Sequence, residues 1–149
     1  MDKIVLLVED NPDDVLFMER AFAKAEMSCP LKVARDGRQA VDYLSGRGAY
    51  ADRSAHPAAT HVILDIKLPF LSGLEVLQWM RKEPDLENLP VIVLTSSTER
   101  ADMDRAFELG AQSYLVKPVA FPSLVTLARG IREWVEMARI SQFIQRPLS

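Results

Sequence analysis

Four short apolar runs punctuate the chain: Ile4-Val5-Leu6-Leu7-Val8, Val62-Ile63-Leu64, Val91-Ile92-Val93-Leu94 and Tyr114-Leu115-Val116. Each is brief, rich in branched residues and free of polar alternation, the pattern of parallel strands covered on both faces. A fifth stretch, Leu31-Lys32-Val33-Ala34-Arg35, alternates apolar with polar positions and predicts an edge strand. Apolar stripes at three- and four-residue spacing lie between and after these runs. They are Val15, Met18, Phe22 and Ala25; Ala40, Val41 and Leu44; and Leu74, Leu77 and Met80. Two more are Met103, Ala106, Phe107 and Gly110, and then Leu124, Leu127, Ala128, Ile131, Val135 and Ala138. Such stripes predict amphipathic helices that turn one face to a core. Asn11-Pro12-Asp13-Asp14 supplies a cap, a first-turn proline and acidic residues to the first helix. Asp36 to Gln39 and Ser72 to Glu75 read as capping boxes, and Gly110 falls where a helix end wants a left-handed residue. Strict alternation of strand and helix, five times over, predicts a doubly wound α/β fold with right-handed crossovers.

Composition narrows the class. With 149 residues, 48% hydrophobic and 26% charged, the chain can bury a core and is too apolar for intrinsic disorder. The net charge of −3 and the absence of a Lys/Arg block argue against nucleic acid or an anionic membrane as partner. Cys29 is the only cysteine, so an intrachain disulfide and a cysteine-based zinc site are both excluded. The run from Ile4 to Val8 is cut off by Glu9 and Asp10, far short of the about 20 apolar residues of a membrane helix. A cytoplasmic protein with no membrane segment is expected.

The chemistry collects where strands end. Glu9 and Asp10 follow the first run, Asp65 the third strand, Thr95 the fourth and Lys117 the fifth. In a parallel sheet these ends share one rim, where ligands bind at the reversal of strand order. Two like charges about 4 Å apart repel by about 4 kcal/mol at an effective dielectric near 20. Three carboxylates at one mouth therefore call for counter-charge, which Lys117 supplies in part. A hard divalent cation supplies the rest, and Mg²⁺ with retained waters suits carboxylates plus a phosphate. Thr95 and Lys117 are then placed to hold the remaining oxygens of a phosphoryl group.

In these residues the chain resembles the receiver domains of two-component response regulators. The matching pieces are Val8-Glu9-Asp10-Asn11, Leu64-Asp65-Ile66-Lys67-Leu68-Pro69, Ser72-Gly73-Leu74-Glu75, Leu94-Thr95-Ser96-Ser97, Gly110-Ala111 and Tyr114-Leu115-Val116-Lys117-Pro118. The resemblance spans Lys3 to Ile131 and implies a flavodoxin-like fold with a five-stranded parallel sheet in the order 2-1-3-4-5. It implies that Asp65 accepts a phosphoryl group from a sensor histidine kinase. It also implies that Mg²⁺ is held by Glu9 through water, by Asp10 and Asp65, and by the backbone carbonyl of Lys67. Lys117 and Thr95 would contact the phosphoryl group, and Tyr114 would follow Thr95 by changing rotamer. A cis Lys117-Pro118 peptide is expected on the same ground. The Asn11 to Asp14 opening, the long Gly46 to Thr60 connection and Val116-Lys117-Pro118-Val119 resemble a single-domain subgroup, some of whose members pair with phytochrome-type kinases. Lys67 and Ser97 occupy positions that vary in the family and influence phosphoryl lifetime.

Two other readings compete. A phosphatase of the haloacid dehalogenase type also forms an aspartyl phosphate, but it needs an aspartate two residues on as acid/base, where Lys67 stands. A pseudo-receiver would bind partners unphosphorylated, yet every residue required for phosphorylation is present. Residues 1–132 are read as the receiver and 133–149 as a helix extension and tail, too short for a separate domain. Trp134, Met137, Ile140 and Ile144 form a further stripe in it. That stripe either packs back on the domain or offers a docking surface to a second copy, giving a homodimer, or to a kinase. His56 and His61, in and beside the long connection, are read as surface or strand-edge residues.

Overall fold

The computed structural model describes residues 2–145, with side chains to residue 136. In chain order the elements are β1 (Val5–Val8), α1 (Pro12–Lys24), β2 (Leu31–Ala34), α2 (Gly37–Ser45), β3 (His61–Leu64), α3 (Gly73–Lys82), β4 (Val91–Thr95), α4 (Arg100–Glu108), β5 (Ser113–Val116) and α5 (Phe121–Gln145). The five strands form one parallel sheet in the order β2-β1-β3-β4-β5. This is the flavodoxin-like arrangement, with five helices.

Two compact units divide the chain. One comprises Met1–Val15 and Cys29–Lys117, and the other Leu16–Ser28 and Pro118–Ser149. The first contains the whole sheet with α2, α3 and α4. Its three central strands are buried at every residue, as unalternating apolar runs should be. The sheet edges are only half covered. In β2 only Ala34 is buried, and β5, expected to be covered on both faces, is half-buried through Leu115 and exposed at Val116. An outer strand has one neighbour, which explains the difference. The expected core positions Leu44, Leu77 and Met80 are buried, together with Tyr43 and Val76. On α4 only Ala106 is buried, and Phe107, expected in the core, is 48% exposed. In the second unit Met18, Phe22 and Ala25 of α1 are buried, as are Ala128, Ile131 and Val135 of α5. There Arg132 donates to the Ala25 carbonyl at 3.1 Å. Helix α5 carries the backbone on through residue 145, but Ala138 and the stripe residues Met137, Ile140 and Ile144 lie outside the residues whose side chains are described.

The caps follow the sequence with one difference. Asn11 Oδ1 accepts from the N–H groups of Asp13 and Asp14, and Ser72 and Glu75 close a complete capping box. At α2, Asp36 accepts from the Gln39 N–H, but the Gln39 side chain accepts from Arg35 N–H one residue earlier than a box requires. Gly110 takes φ +85°, where any side chain is strained. The long connection before β3 is packed: it holds a 3₁₀ turn at Gly48–Tyr50, and Tyr43 donates to the Pro57 carbonyl at 2.7 Å. The Tyr43, Tyr50 and His56 rings stack edge-on or tilted, and Arg53 lies 5.6 Å over Tyr43 while donating to the carbonyls of Leu44 and His56.

Candidate phosphoryl and metal site

The parallel register brings the predicted side chains to one rim. Val8 pairs with Leu64, so Glu9 and Asp65 leave their strands side by side, tied by the Asp65 N–H to the Val8 carbonyl at 3.1 Å. Thr95 pairs with Val116, and the Lys117 N–H continues that ladder onto the Thr95 carbonyl at 2.8 Å. Gly73, at the start of α3, lies against the main chain of Asp65, so a β-carbon there would overlap the Asp65 carbonyl oxygen. The glycine thus serves close approach, which fixes where the aspartate leaves β3.

Glu9, Asp10 and Asp65 each offer a carboxylate oxygen, and these oxygens lie within 4.8 Å of one another. Glu9 and Asp65 are buried and Asp10 is exposed. Three hard oxygens, one of them open to water, suit a Mg²⁺-like ion that keeps part of its hydration. Lys117 enters the same cluster. Its Nζ donates to Asp65 Oδ2 at 2.8 Å, to Asp14 Oδ2 at 3.0 Å, and pairs with Glu9 Oε1. Burial opposes the ammonium's charge, but hydrogen bonds to Asp65, Glu9 and Asp14 outweigh it and hold the lysine protonated well above its usual range. Burial likewise pushes Glu9 up, and the Asp65 charge adds to that, against the pull of Lys117 and the Asn11 N–H.

The remaining predicted residues take distinct places. Thr95 is fully buried at the end of β4, and its hydroxyl accepts from the Ser97 N–H at 3.3 Å. Tyr114 is half-buried, its hydroxyl donating to the Ser97 carbonyl at 3.0 Å. Lys67 meets Asp65 through its backbone N–H at 3.1 Å, while its side chain runs toward Asp102 on α4. The Lys117-Pro118 peptide is trans, against expectation, and no cis bond occurs among the described residues. The lysine reaches the carboxylates without that kink, drawn by three negative partners. His61 is buried at the start of β3 with Nδ1 2.9 Å from Thr60 Oγ1, a more enclosed place than a strand edge.

Sequence reasoning missed Asp14, Asp102 and Arg81. Asp14 was fully accounted for as a first-turn charge, yet its carboxylate is the third partner of Lys117. Arg81 lies elsewhere, at the strands' opposite rim, in a cleft of about 390 Å³ beside Leu89, Pro90, Leu109 and Gln112. Its guanidinium donates to the carbonyls of Leu109, Leu89, Glu87 and Gly110 at 2.7–3.2 Å.

A buried aspartate thus lies between an acidic pair and a lysine, at the rim of a parallel sheet ordered 2-1-3-4-5. Residues 5–129 match the response regulator receiver domain, and the chain belongs to that family, a signalling family of two-component systems. Within it, the chain is similar to response regulator Rcp1 of Synechocystis, 33% identical over 135 residues that cover 90% of each protein. It is 37% identical over 134 residues to the probable methanogenesis regulatory protein FilR2 of Methanothrix harundinacea, covering 88% of this chain and 82% of that one. Among solved structures, the phosphorylated cyanobacterial phytochrome response regulator RcpA superposes with a TM-score of 0.84 at 30% identity, over 93% of this chain and 96% of that one. The Mn²⁺-bound form of Rcp1 superposes at 0.81 with 32% identity, over 90% and 95%. Among the described residues no helix is long and apolar enough to cross a membrane.

Proposed function

We propose that this chain is a single-domain response regulator that accepts a phosphoryl group on Asp65 from a phytochrome-type sensor histidine kinase and signals by changing protein–protein contacts. The observation that carries the reading is the placement of Asp65. It is buried, with one oxygen 2.8 Å from Lys117 Nζ and the other accepting from the Lys67 N–H, beside Glu9 and Asp10. In the transfer, an Asp65 oxygen attacks the phosphorus of phosphohistidine, the P–N bond breaks, and the imidazole leaves with a proton. Mg²⁺ held by Glu9, Asp10, Asp65 and the Lys67 carbonyl would neutralise the charge that develops on the phosphoryl oxygens. Lys117 supplies a further fixed positive charge at the acceptor. Thr95 and Tyr114 both reach Ser97, a route by which a hydroxyl drawn to the phosphoryl group is felt at β5.

The similarity to RcpA, described as a phytochrome response regulator, supports the choice of kinase class. Acetyl phosphate with Mg²⁺ should place a hydroxylamine-labile phosphoryl group on Asp65, and a phytochrome-type kinase should transfer its own. Labelling that persists undiminished in Asp65→Asn would refute the acceptor. Labelling by acetyl phosphate but by no such kinase would refute the partner alone.

A further inference from the structure

Every oxygen of the two buried carboxylates is already engaged. Glu9 offers Oε2 to the Asn11 N–H at 3.1 Å and Oε1 to Lys117. Asp65 offers Oδ1 to the Lys67 N–H at 3.1 Å and Oδ2 to Lys117. The Asn11 and Lys67 donors are main-chain groups, held by the turns that follow β1 and β3. Lys117 reaches in on a flexible stem, onto the same two side chains that would hold a divalent cation. Two cations therefore compete for Glu9 and Asp65, and at close range they repel each other. The third partner of Lys117 lies outside that contest. Asp14, 39% exposed in the first turn of α1, accepts from Nζ at 3.0 Å through Oδ2 and is not one of the three clustered carboxylates. Its turn is fixed by Asn11, whose Oδ1 accepts from the Asp13 and Asp14 N–H groups.

We propose that Asp14 is a positioning residue for Lys117: the lysine cedes Glu9 and Asp65 to a divalent cation and is retained at the rim by Asp14, which thereby sets how tightly that cation is held. The proposal rests on the reading of Glu9, Asp10 and Asp65 as the metal site. In the structure the ammonium divides its hydrogen bonds among Glu9, Asp65 and Asp14. Once the first two are given up, Asp14 is the anionic partner left to a lysine that is only 19% exposed. A largely buried ammonium with no partner is costly, so Asp14 lowers the cost of releasing the other two. Its bond to Lys117 is shared in one state and undivided in the other. Only such a difference between states can shift an equilibrium.

Asp14→Asn keeps an amide oxygen for Nζ and removes the charge. Mn²⁺ affinity is read from the electron paramagnetic resonance of the free ion, for the wild type, D14N, K117M and the double variant, at one pH and one ionic strength. D14N should bind Mn²⁺ about two- to fivefold more weakly, the span of a partly exposed ion pair. In the K117M background the same substitution should change the affinity far less, because no lysine remains to be held. An equal loss in K117M would mean that Asp14 acts on the ion through its own charge, and would overturn the proposal. So would a D14N protein that binds Mn²⁺ as tightly as wild type. Wild type that binds no Mn²⁺ refutes the metal site, and the proposal with it. If K117M does not fold, nuclear magnetic resonance of the Lys117 ammonium decides. In Mg²⁺-saturated protein its Nζ protons should exchange slowly with water in the wild type and be lost to exchange in D14N, and signals alike in both would overturn the role of Asp14.

Discussion

Replacing Lys117 by Met should give a protein whose stability leans on a divalent cation. The ammonium serves Glu9, Asp14 and Asp65 at once, and the side chains of Glu9 and Asp65 are each only 4% exposed. Removing it leaves two buried carboxylates without their cation, a change that costs about 3–5 kcal/mol when one partner of a buried pair is lost. For a chain of this size that lowers the melting temperature by roughly 6–20 °C. Mg²⁺ at about 100 times its dissociation constant returns about 2.7 kcal/mol through native-state binding, most of the loss. Protonation offers a second escape. Burial raises Glu9 to about 7, so the folded protein binds a proton that the unfolded chain releases near its ordinary value of 4.5. Its contribution therefore favours the fold at low pH and is lost as pH rises between those values, over a wider range once Lys117 is gone. Differential scanning fluorimetry of wild type and K117M, with EDTA or Mg²⁺, at pH 6 and pH 8, reads all of this. K117M should be weakest in EDTA at pH 8 and gain more from Mg²⁺ than wild type does. Equal melting in EDTA, or an equal Mg²⁺ response, would show that the lysine is not the counter-charge of this cluster.

Two other perturbations test the frame around the site. Burial, with a smaller push from Lys3, lowers His61 from 6.5 to about 4, so the unfolded chain binds the extra proton and stability falls as pH drops from 6.5 towards 4, by at most about 1.4 kcal/mol per pH unit. His61→Gln should flatten that part of the curve measured by urea unfolding, and an unchanged slope would rule the histidine out. Arg81→Ala leaves the carbonyls of Leu109, Leu89 and Glu87 without their charged donor and should cost roughly 2–4 kcal/mol. Arg81→Lys should recover only part, since an ammonium lacks the planar fork, and a lysine variant as stable as wild type would contradict the geometry.

The sheet was legible because burial on both faces writes itself as unbroken apolar runs, as in Ile4 to Val8 and Val91 to Leu94. The site was legible for a topological reason: parallel strands deliver whatever follows them to one rim, so Glu9, Asp65, Thr95 and Lys117 could be gathered before any distance was known. Contacts that depend on side-chain reach were not. Asp14 satisfies a helix dipole, and that local explanation hides a second partner 103 residues along the chain at Lys117, while Asp102 pairs with Lys67, 35 residues away. Arg81 was invisible because its acceptors are main-chain carbonyls, which every residue has. Phe107 misled because helical spacing marks a face, while the depth of an outer helix is set by what lies beneath it.

Gly73 carries a last consequence, for how this protein tolerates mutation. It has no side chain to offer the site, yet a single added carbon there would press on the carbonyl of Asp65. Any heavier residue at 73 moves the aspartate's main chain before it alters anything else. A screen for silent variants should therefore return position 73 among the mute ones, with each charged residue intact and the aspartate still present but out of alignment. The Asp65 main chain and the absent side chain at 73 form one steric unit, and a change at the second is felt first at the first.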